Sequence, residues 1–166
     1  MNESLKYSIL FVCLGNICRS PAAQAVMQRL VDERGLTDRF YIDSAGIGAW
    51  HIGDLPDKRM RVHARARGYE LTHRARQVRA ADFDDFDLIV GMDATNVEDL
   101  RYKAVTIEQQ DKVVMMGDYI RQFPHYDHVP DPYYEGSEGF ELVLDLLEDA
   151  CDNLLDRIIK QNNRIQ

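Results

Sequence analysis

The sequence predicts an α/β fold with a parallel sheet in one domain. Short apolar runs alternate along the chain with longer amphipathic stretches, and this alternation is typical of βαβ units. The chain has 166 residues, of which 45% are hydrophobic, so it is long enough to bury one core. We therefore expect residues 1–166 to form a single domain.

Four apolar runs are the strand candidates. The first covers residues 7–12 and includes Ile9, Leu10, Phe11 and Val12, a continuous apolar stretch of the kind that is buried in parallel sheets. The other three are listed by position: residues 40–44, 87–91 and 112–115.

The amphipathic stretches predict four helices. The first begins at Pro21, because proline suits the first helical position, and ends before Gly35. The others cover residues 57–67, 93–100 and 137–162. The last of these has apolar residues at i, i+3 and i+4 spacing along its length, which predicts one buried face.

Composition and charge argue against several classes of function. A formal net charge of −8 disfavours non-specific binding to nucleic acid or to anionic membrane surfaces. No apolar run approaches the ~18 residues of a membrane span, and the N-terminus has no secretory signal. Three cysteines do not make a disulfide framework. We expect a cytoplasmic protein with no nucleic-acid partner and no membrane insertion.

The most informative segment is residues 13–20, Cys-Leu-Gly-Asn-Ile-Cys-Arg-Ser, between the first strand and the first helix. Five residues separate Cys13 from Arg19. A loop of that length can turn its backbone N–H groups towards one centre, which is an anion site supported by the helix dipole. Cys13 then lies at the base and Arg19 at the rim, with a planar fork that matches phosphate oxygens. The segment predicts a thiolate that faces a phosphoryl group.

This segment resembles the signature loop of protein tyrosine phosphatases, and with Val12 and Pro21 it is similar to that of the low-molecular-weight family. Three further segments fit that family in the expected order: residues 43–46 (Asp-Ser-Ala-Gly), 49–53 (Ala-Trp-His-Ile-Gly) and 131–134 (Asp-Pro-Tyr-Tyr). The resemblance implies a four-stranded parallel sheet flanked by helices, with the phosphate-binding loop after the first strand. It also implies hydrolysis of phosphotyrosine or aryl phosphate monoesters, without a cofactor or a metal.

Three residues are the candidates for chemistry. Cys13 is the nucleophile, because loop amides and Arg19 favour its thiolate form, although a lone cysteine is more often a small buried hydrophobe. Arg19 would clamp the phosphate; its ordinary alternative is a surface ion pair. Asp131 lies between two prolines, which suits either a turn residue or a rigidly presented general acid. The resemblance assigns Asp131 as the acid of the first step and the base of the second.

Further residues would bind the substrate or support the loop. We expect the phosphate to contact Leu14, Gly15, Asn16, Ile17, Cys18 and Ser20. Trp50, Tyr133 and Tyr134 would line the mouth around an aryl ring. The resemblance implies that Ser44 and His73 support the loop together with Asn16. Residues 52–58 differ from the commonest family pattern near the rim, which leaves substrate preference open.

Cys18 has two interpretations. It can act as a resolving thiol that forms a reversible disulfide with an oxidised Cys13, or it can pack beside the loop. A zinc site is not expected, since no second Cys/His pair with ligand spacing accompanies the two cysteines. Cys151 is expected in the core. The acidic residues Asp82, Asp84, Asp85 and Asp87 are interpreted as a solvated turn.

Two other functions fit parts of the pattern. An arsenate reductase on the same fold shares the Cys-x5-Arg loop, but residues 74–100 lack a cysteine for an oxidation relay. A variant that uses only Cys13 and is coupled to thioredoxin or glutaredoxin would not need that cysteine. A phosphopeptide-binding module would keep Arg19 and lose Cys13 or Asp131, and both are present. We expect tyrosine-phosphorylated proteins or small aryl phosphates as substrates. Weak self-association is compatible with the sequence.

Overall fold

The computed structural model describes residues 6–133, 135–162 and 165. Its sheet contains four parallel strands in the order β2-β1-β3-β4. Their bounds are Tyr7–Cys13 (β1), Phe40–Gly46 (β2), Leu88–Gly91 (β3) and Val113–Met115 (β4). The predicted α/β class and the four-stranded parallel sheet are confirmed, and each strand lies within two residues of its predicted bounds.

The helices cover both faces of this sheet. They are Arg19–Glu33 (α1), Lys58–Ala66 (α2), Asp82–Asp85 (α3), Ala94–Lys103 (α4), Ile107–Asp111 (α5) and Ser137–Gln161 (α6), with 3₁₀ turns at Thr37–Arg39 and Met116–Tyr119. Helices α1, α2 and α6 pack on one face, and α3 and α4 pack on the other. In the described part of the chain, no helix is long and apolar enough to cross a membrane.

Strand β1 separates the two halves of the core. Ile9 and Phe11 face the cluster formed with α1, α2 and α6, and Leu10 and Val12 face the cluster formed with α3 and α4. All four side chains are fully buried. Because side chains alternate across a strand, a continuous apolar run is what a strand buried on both faces requires. The central position of β1 fixes where the loop that follows it emerges.

The strand order places this loop at a switch point of the sheet. The chain leaves β1 for β2 on one side and returns to β3 on the other side, so the carboxyl ends of β1 and β3 are adjacent. In open α/β sheets, ligands bind in the crevice between loops at such a point. The segments that begin at Leu14 and Met92 are therefore brought together.

Two predicted boundaries differ in a way that matters for the site. Strand β1 extends to Cys13 and α1 begins at Arg19, two residues before the predicted Pro21. The loop is thus only residues 14–18, and both ends of the signature are anchored in regular structure. Pro21 lies in the first turn, where a missing N–H leaves no bond unmade.

The acidic segment 82–87 was interpreted as a solvated turn, and for Asp82 this is wrong. Asp82 is fully buried at the start of the short helix α3. Its carboxylate accepts hydrogen bonds from Arg76 Nη1 (3.0 Å), Arg76 Nη2 (3.1 Å) and the backbone N–H of Arg79 (2.8 Å). A charge is buried here because it is paired and hydrogen-bonded, a tertiary arrangement that local sequence does not reveal.

Candidate active site

The loop between β1 and α1 is held in a conformation that depends on Asn16. Its backbone φ is 58°, in the left-handed region that asparagine tolerates better than most residues other than glycine. The loop also passes close over Gly46 at the end of β2. A Cβ at Gly46 would lie 2.9 Å from the backbone carbon of Gly15 and 3.1 Å from the carbonyl oxygen of Leu14. Any larger residue there would push the loop away from the sheet.

The Asn16 side chain is a buried hub of four hydrogen bonds. Its Nδ2 donates to Ser20 Oγ (2.8 Å) and to Ser44 Oγ (3.0 Å). Its Oδ1 accepts from His73 Nε2 (3.0 Å) and from the backbone N–H of Arg76 (3.0 Å). The amide thus uses both of its hydrogens and both lone pairs, which fixes its orientation and ties the loop to α1, β2 and the segment after α2.

Two groups of Ser20, its hydroxyl and its backbone N–H, lie within hydrogen-bond distance of Cys13 Sγ. Because Asn16 donates to Ser20 Oγ, the serine hydroxyl keeps its own hydrogen, which it can donate to Cys13 Sγ at 3.0 Å or to the carbonyl of Ala45 at 3.4 Å. The backbone N–H of Ser20 also donates to Cys13 Sγ, at 3.4 Å. Hydrogen bonds to an ionised acceptor are stronger than those to a neutral one, so this arrangement is better suited to a thiolate than to a thiol. Ser20 and Asn16 are fully buried, and their contact with the phosphate stays a prediction.

His73 supports the hub from outside. Its Nε2 donates to Asn16, and its Nδ1 lies 3.6 Å from Asp43 Oδ1. Burial lowers the pKa of His73 below its usual value; Asp43 opposes that shift and the neighbouring Arg76 adds to it. The neutral imidazole with its proton on Nε2 is therefore the form that holds Asn16 at neutral pH.

Arg19 is a buried cation whose orientation is fixed by the protein. Only 3% of it is exposed, and its Nη1 donates to Asp93 Oδ2 (2.7 Å) and to the carbonyl of Val129 (3.0 Å). Burial on its own would lower the pKa of Arg19, but Cys13, Asp93 and Asp131 outweigh it and the pKa is raised. A surface ion pair, the alternative considered for this arginine, is excluded.

Asp93 was not identified from the sequence. It follows β3 at the switch point and caps α4, where its Oδ1 accepts from the backbone N–H of Asn96 (2.8 Å). One carboxylate thus begins a helix with one oxygen and holds Arg19 with the other. The sequence signal that could have identified Asp93 was its position two residues after the predicted strand 87–91, where ligand-binding residues of α/β sheets occur.

Asp131 lies across the pocket from the loop. Its Oδ2 is 3.8 Å from Arg19 Nη2, and its Oδ1 accepts from the backbone N–H of Tyr133 at 3.0 Å. The side chain is 46% exposed, so a proton can reach it from solvent. The turn role and the catalytic role considered from the sequence are compatible, since one oxygen makes the turn and the other faces the pocket.

One cavity of about 230 Å³ brings these groups together. It is lined by Cys13, Leu14, Gly15, Ile17, Cys18, Arg19, Trp50, His51, Asp131 and Tyr133. Trp50 and Tyr133 are 69% and 49% exposed, which places two aromatic side chains at the mouth. His51 is a lining residue that was not predicted. Tyr134 lies outside the described residues.

Cys18 lines the pocket as a protonated thiol. Burial first, and then the negative charges of Cys13, Asp57 and Asp131, raise the pKa of Cys18 well above its usual value. A protonated thiol is the less nucleophilic form, which favours a lining role over rapid reaction with Cys13. Its redox role stays a prediction. Cys151 is buried in α6 as predicted, and in the described part of the chain no group of three or more His, Cys, Asp or Glu could hold a metal ion.

A buried cysteine before a short loop, a fixed arginine after that loop and a carboxylate across the pocket are the features of cysteine-dependent phosphatases. Comparison with known proteins gives the particular family. The model of the low molecular weight phosphotyrosine protein phosphatase family matches residues 8–164. The chain belongs to that family.

Individual relatives cover nearly the whole chain. The low molecular weight protein-tyrosine-phosphatase YfkJ of Bacillus subtilis is 43% identical over 155 residues, which are 93% of this chain and 97% of the relative. A Synechocystis protein is 48% identical over 153 residues, 92% of this chain and 97% of its own. The crystal structure of a protein tyrosine phosphatase from Entamoeba histolytica superposes with a TM-score of 0.91 at 41% identity, covering 94% of this chain and 99% of that one.

The lowered pKa of His73 predicts a pH dependence of stability. The folded protein binds this proton less readily than the unfolded chain, whose histidine has a pKa of about 6.5. The stability contributed by neutral His73 is thus complete above that value and is lost as the pH falls through it towards the folded pKa. Urea unfolding at pH 7.5 and 5.5 should show a larger loss of unfolding free energy in the wild type than in His73→Gln.

The matched control is His125→Gln, because His125 is an exposed histidine. It should keep the wild-type pH dependence. If His73→Gln and the wild type lose the same free energy over this interval, His73 is not held neutral.

Proposed function

We propose that this chain, as one domain over residues 1–166, hydrolyses phosphotyrosine and other aryl phosphate monoesters through a phosphocysteine intermediate. Cys13 is the nucleophile, Arg19 clamps the phosphoryl group, and Asp131 is the general acid and then the base. The single observation that carries the proposal is the convergence of these three side chains on one cavity at the carboxyl end of β1.

In the first step, the Cys13 thiolate attacks phosphorus and the bond to the phenolic oxygen breaks. The leaving oxygen takes a proton from Asp131, which must therefore begin the step protonated. Charge on the equatorial oxygens is stabilised by the loop amides and by Arg19. Because Asp93 and Val129 already hold Nη1 of Arg19, the guanidinium needs little reorganisation when the substrate arrives.

In the second step, water attacks the phosphocysteine and gives its proton to Asp131. The sulfur–phosphorus bond breaks, inorganic phosphate forms and Cys13 returns as a thiolate. The Ser20 hydroxyl, 3.0 Å from the sulfur, stabilises this leaving group. Asp131 is protonated again and ready for the next substrate.

The pocket supports an aryl substrate. Trp50 and Tyr133 stand at the mouth, and the sulfur lies at the base with Cys13 only 3% exposed. A phenyl ring spans this depth and stacks between aromatic faces, whereas the shorter phosphoserine side chain leaves its phosphate above the loop. Tyrosine-phosphorylated proteins are the proposed partners, in the cytoplasm, where a reducing environment keeps the thiolate active.

The two rival functions are less well supported. A reductase that relays oxidation through its own thiols would have to use Cys18, whose pKa burial raises well above its usual value, or Cys151, which is buried in the core. A binding module would have no use for a carboxylate aimed at the leaving-group side of the pocket. Asp131 lines the pocket, and its Oδ2 lies 3.8 Å from Arg19 Nη2, which supports catalysis over binding alone.

Substrate turnover tests the proposed function directly. With a chelator present, the wild type should hydrolyse a phosphotyrosine peptide at least about a hundredfold faster than the matching phosphoserine peptide. Cys13→Ser should lose turnover and still bind inorganic phosphate, because the loop and Arg19 remain. Comparable rates on the two peptides would contradict the preference for aryl phosphates. Failure to trap a phosphocysteine by acid quench of the wild type would exclude the mechanism.

Asp131→Asn tests the general acid. Aryl phosphates whose phenolates leave readily need little protonation, and phenyl phosphate needs more. We expect a loss in kcat/KM of about a hundredfold or more for phenyl phosphate and a clearly smaller loss for p-nitrophenyl phosphate. Equal losses across the series would reduce Asp131 to a turn residue.

A further inference from the structure

Arg59 connects the loop that carries the nucleophile to the loop that carries the general acid. It lies in the first turn of α2. We propose that Arg59 is a positioning residue that sets the place of Asp131 relative to the phosphate loop. This rests on the proposed function, since it assigns Arg59 a part in delivering the Asp131 proton.

On one side, Arg59 is tied to the phosphate loop through Asp57. The backbone N–H of Asp57 donates to the carbonyl of Ile17 at 2.6 Å, and Asp57 caps α2 by accepting from the backbone N–H of Arg59 at 2.8 Å. The Asp57 carboxylate also accepts from Arg59 Nε (3.2 Å) and Nη2 (3.0 Å). Burial would raise the pKa of Asp57, but the hydrogen bonds from Arg59 outweigh it and the pKa is lowered. Asp57 is therefore a charged anchor for one edge of the guanidinium, through Nε and Nη2.

On the other side, the remaining nitrogen of Arg59 reaches the acid loop. Nη1 of Arg59 donates to the carbonyl of Tyr133 at 3.2 Å. The backbone N–H of Tyr133 donates to Asp131 Oδ1 at 3.0 Å. The guanidinium carbon is 5.5 Å from the centre of the Tyr133 ring and 4.8 Å from that of Phe140 in α6. Arg59 thus binds Tyr133, and Tyr133 binds the Asp131 carboxylate.

The connection matters because Asp131 is exposed and lies in a loop rather than in a helix or strand. Arg19 Nη2, at 3.8 Å, is beyond hydrogen-bond distance from it. A general acid acts only within about 2.6–3.2 Å of the oxygen it protonates, and a shift of about 1 Å can cost up to a hundredfold in rate. A planar guanidinium bonds Asp57 and Tyr133 in fixed directions at once, which a lysine ammonium does not do.

A competing role for Arg59 is recognition of acidic residues in the substrate. That role depends on charge alone and changes all leaving groups equally. Proton delivery depends on geometry and affects poor leaving groups most. The two roles are therefore separated by small aryl phosphates, which carry no flanking residues.

The experiment measures kcat/KM for p-nitrophenyl phosphate and phenyl phosphate in Arg59→Met and Arg59→Lys. We expect Arg59→Met to lose roughly tenfold on phenyl phosphate and less than about threefold on p-nitrophenyl phosphate. Arg59→Lys should show the same pattern, because it keeps the charge and loses the fork. Lys58→Met, which removes the same charge one residue earlier, should stay within about twofold of wild type on both substrates.

A double variant tests whether the effect passes through Asp131. In the Asp131→Asn background, Arg59→Met should cause less than about a twofold further loss on phenyl phosphate, since there is no longer a proton to position. Thermal unfolding of each variant accompanies the kinetics, and Arg59→Lys carries the test if Arg59→Met is poorly folded.

The possible failures are distinguishable. Equal losses on both substrates, restoration of wild-type rates by Arg59→Lys, or additive losses with Asp131→Asn would each overturn the role of Arg59 alone. If Asp131→Asn itself shows no dependence on the leaving group, the acid assignment fails and this proposal fails with it.

Discussion

The side-chain amide of Asn16 is the interaction on which the rest of the site depends. The loop between β1 and α1 has Asn16 in the left-handed region, and that conformation is held by four buried hydrogen bonds. Buried polar groups with every bond made specify one arrangement, because any alternative leaves a donor or an acceptor unsatisfied. The same amide donates to Ser20 Oγ, which lies 3.0 Å from Cys13 Sγ, so it connects the loop to the nucleophile.

A second constraint is the shared use of carboxylates for folding and for function. Asp93 begins α4 and orients Arg19, and Asp131 makes a turn with one oxygen while the other faces the pocket. Asp57 similarly caps α2 and anchors Arg59. In each case a helix start or a turn also holds a charged group of the site or of its surroundings. Kinetic tests of these residues therefore need folding controls.

The sequence predicted the sheet and most of the site because these depend on local patterns. The apolar run of β1 predicts a central strand, and Cys13, Arg19 and Ser20 follow it at a spacing that few loops satisfy. The roles of Asp131, Ser44 and His73 came from resemblance rather than from pattern. The support role of Asn16 also came from resemblance, but its four partners could not be predicted, since side-chain direction in a tight loop depends on the neighbours that satisfy it.

What the sequence did not predict is set by tertiary contacts between distant segments. Asp93 meets Arg19 across 74 positions. Arg76 is only half-buried, but it joins the fully buried Asp82 to Asp43 of β2, which lies 33 positions before it. Segment 82–87 has an acidic composition that is typical of solvated turns, and the partner that makes Asp82 different is specified by the fold. Arg59 and Tyr133 are likewise joined across 74 positions.

The most direct test of the account is the affinity of the loop for inorganic phosphate when Asn16 is changed. Phosphate is the smallest ligand of the anion site, and calorimetry on Asn16→Ala measures the loop apart from the chemistry. Asn162→Ala, at the far end of α6, is the matched control and should bind as the wild type does. The account predicts at least about a tenfold weaker affinity in Asn16→Ala, because the strained φ and four lost hydrogen bonds release the loop. Wild-type affinity in Asn16→Ala would contradict it.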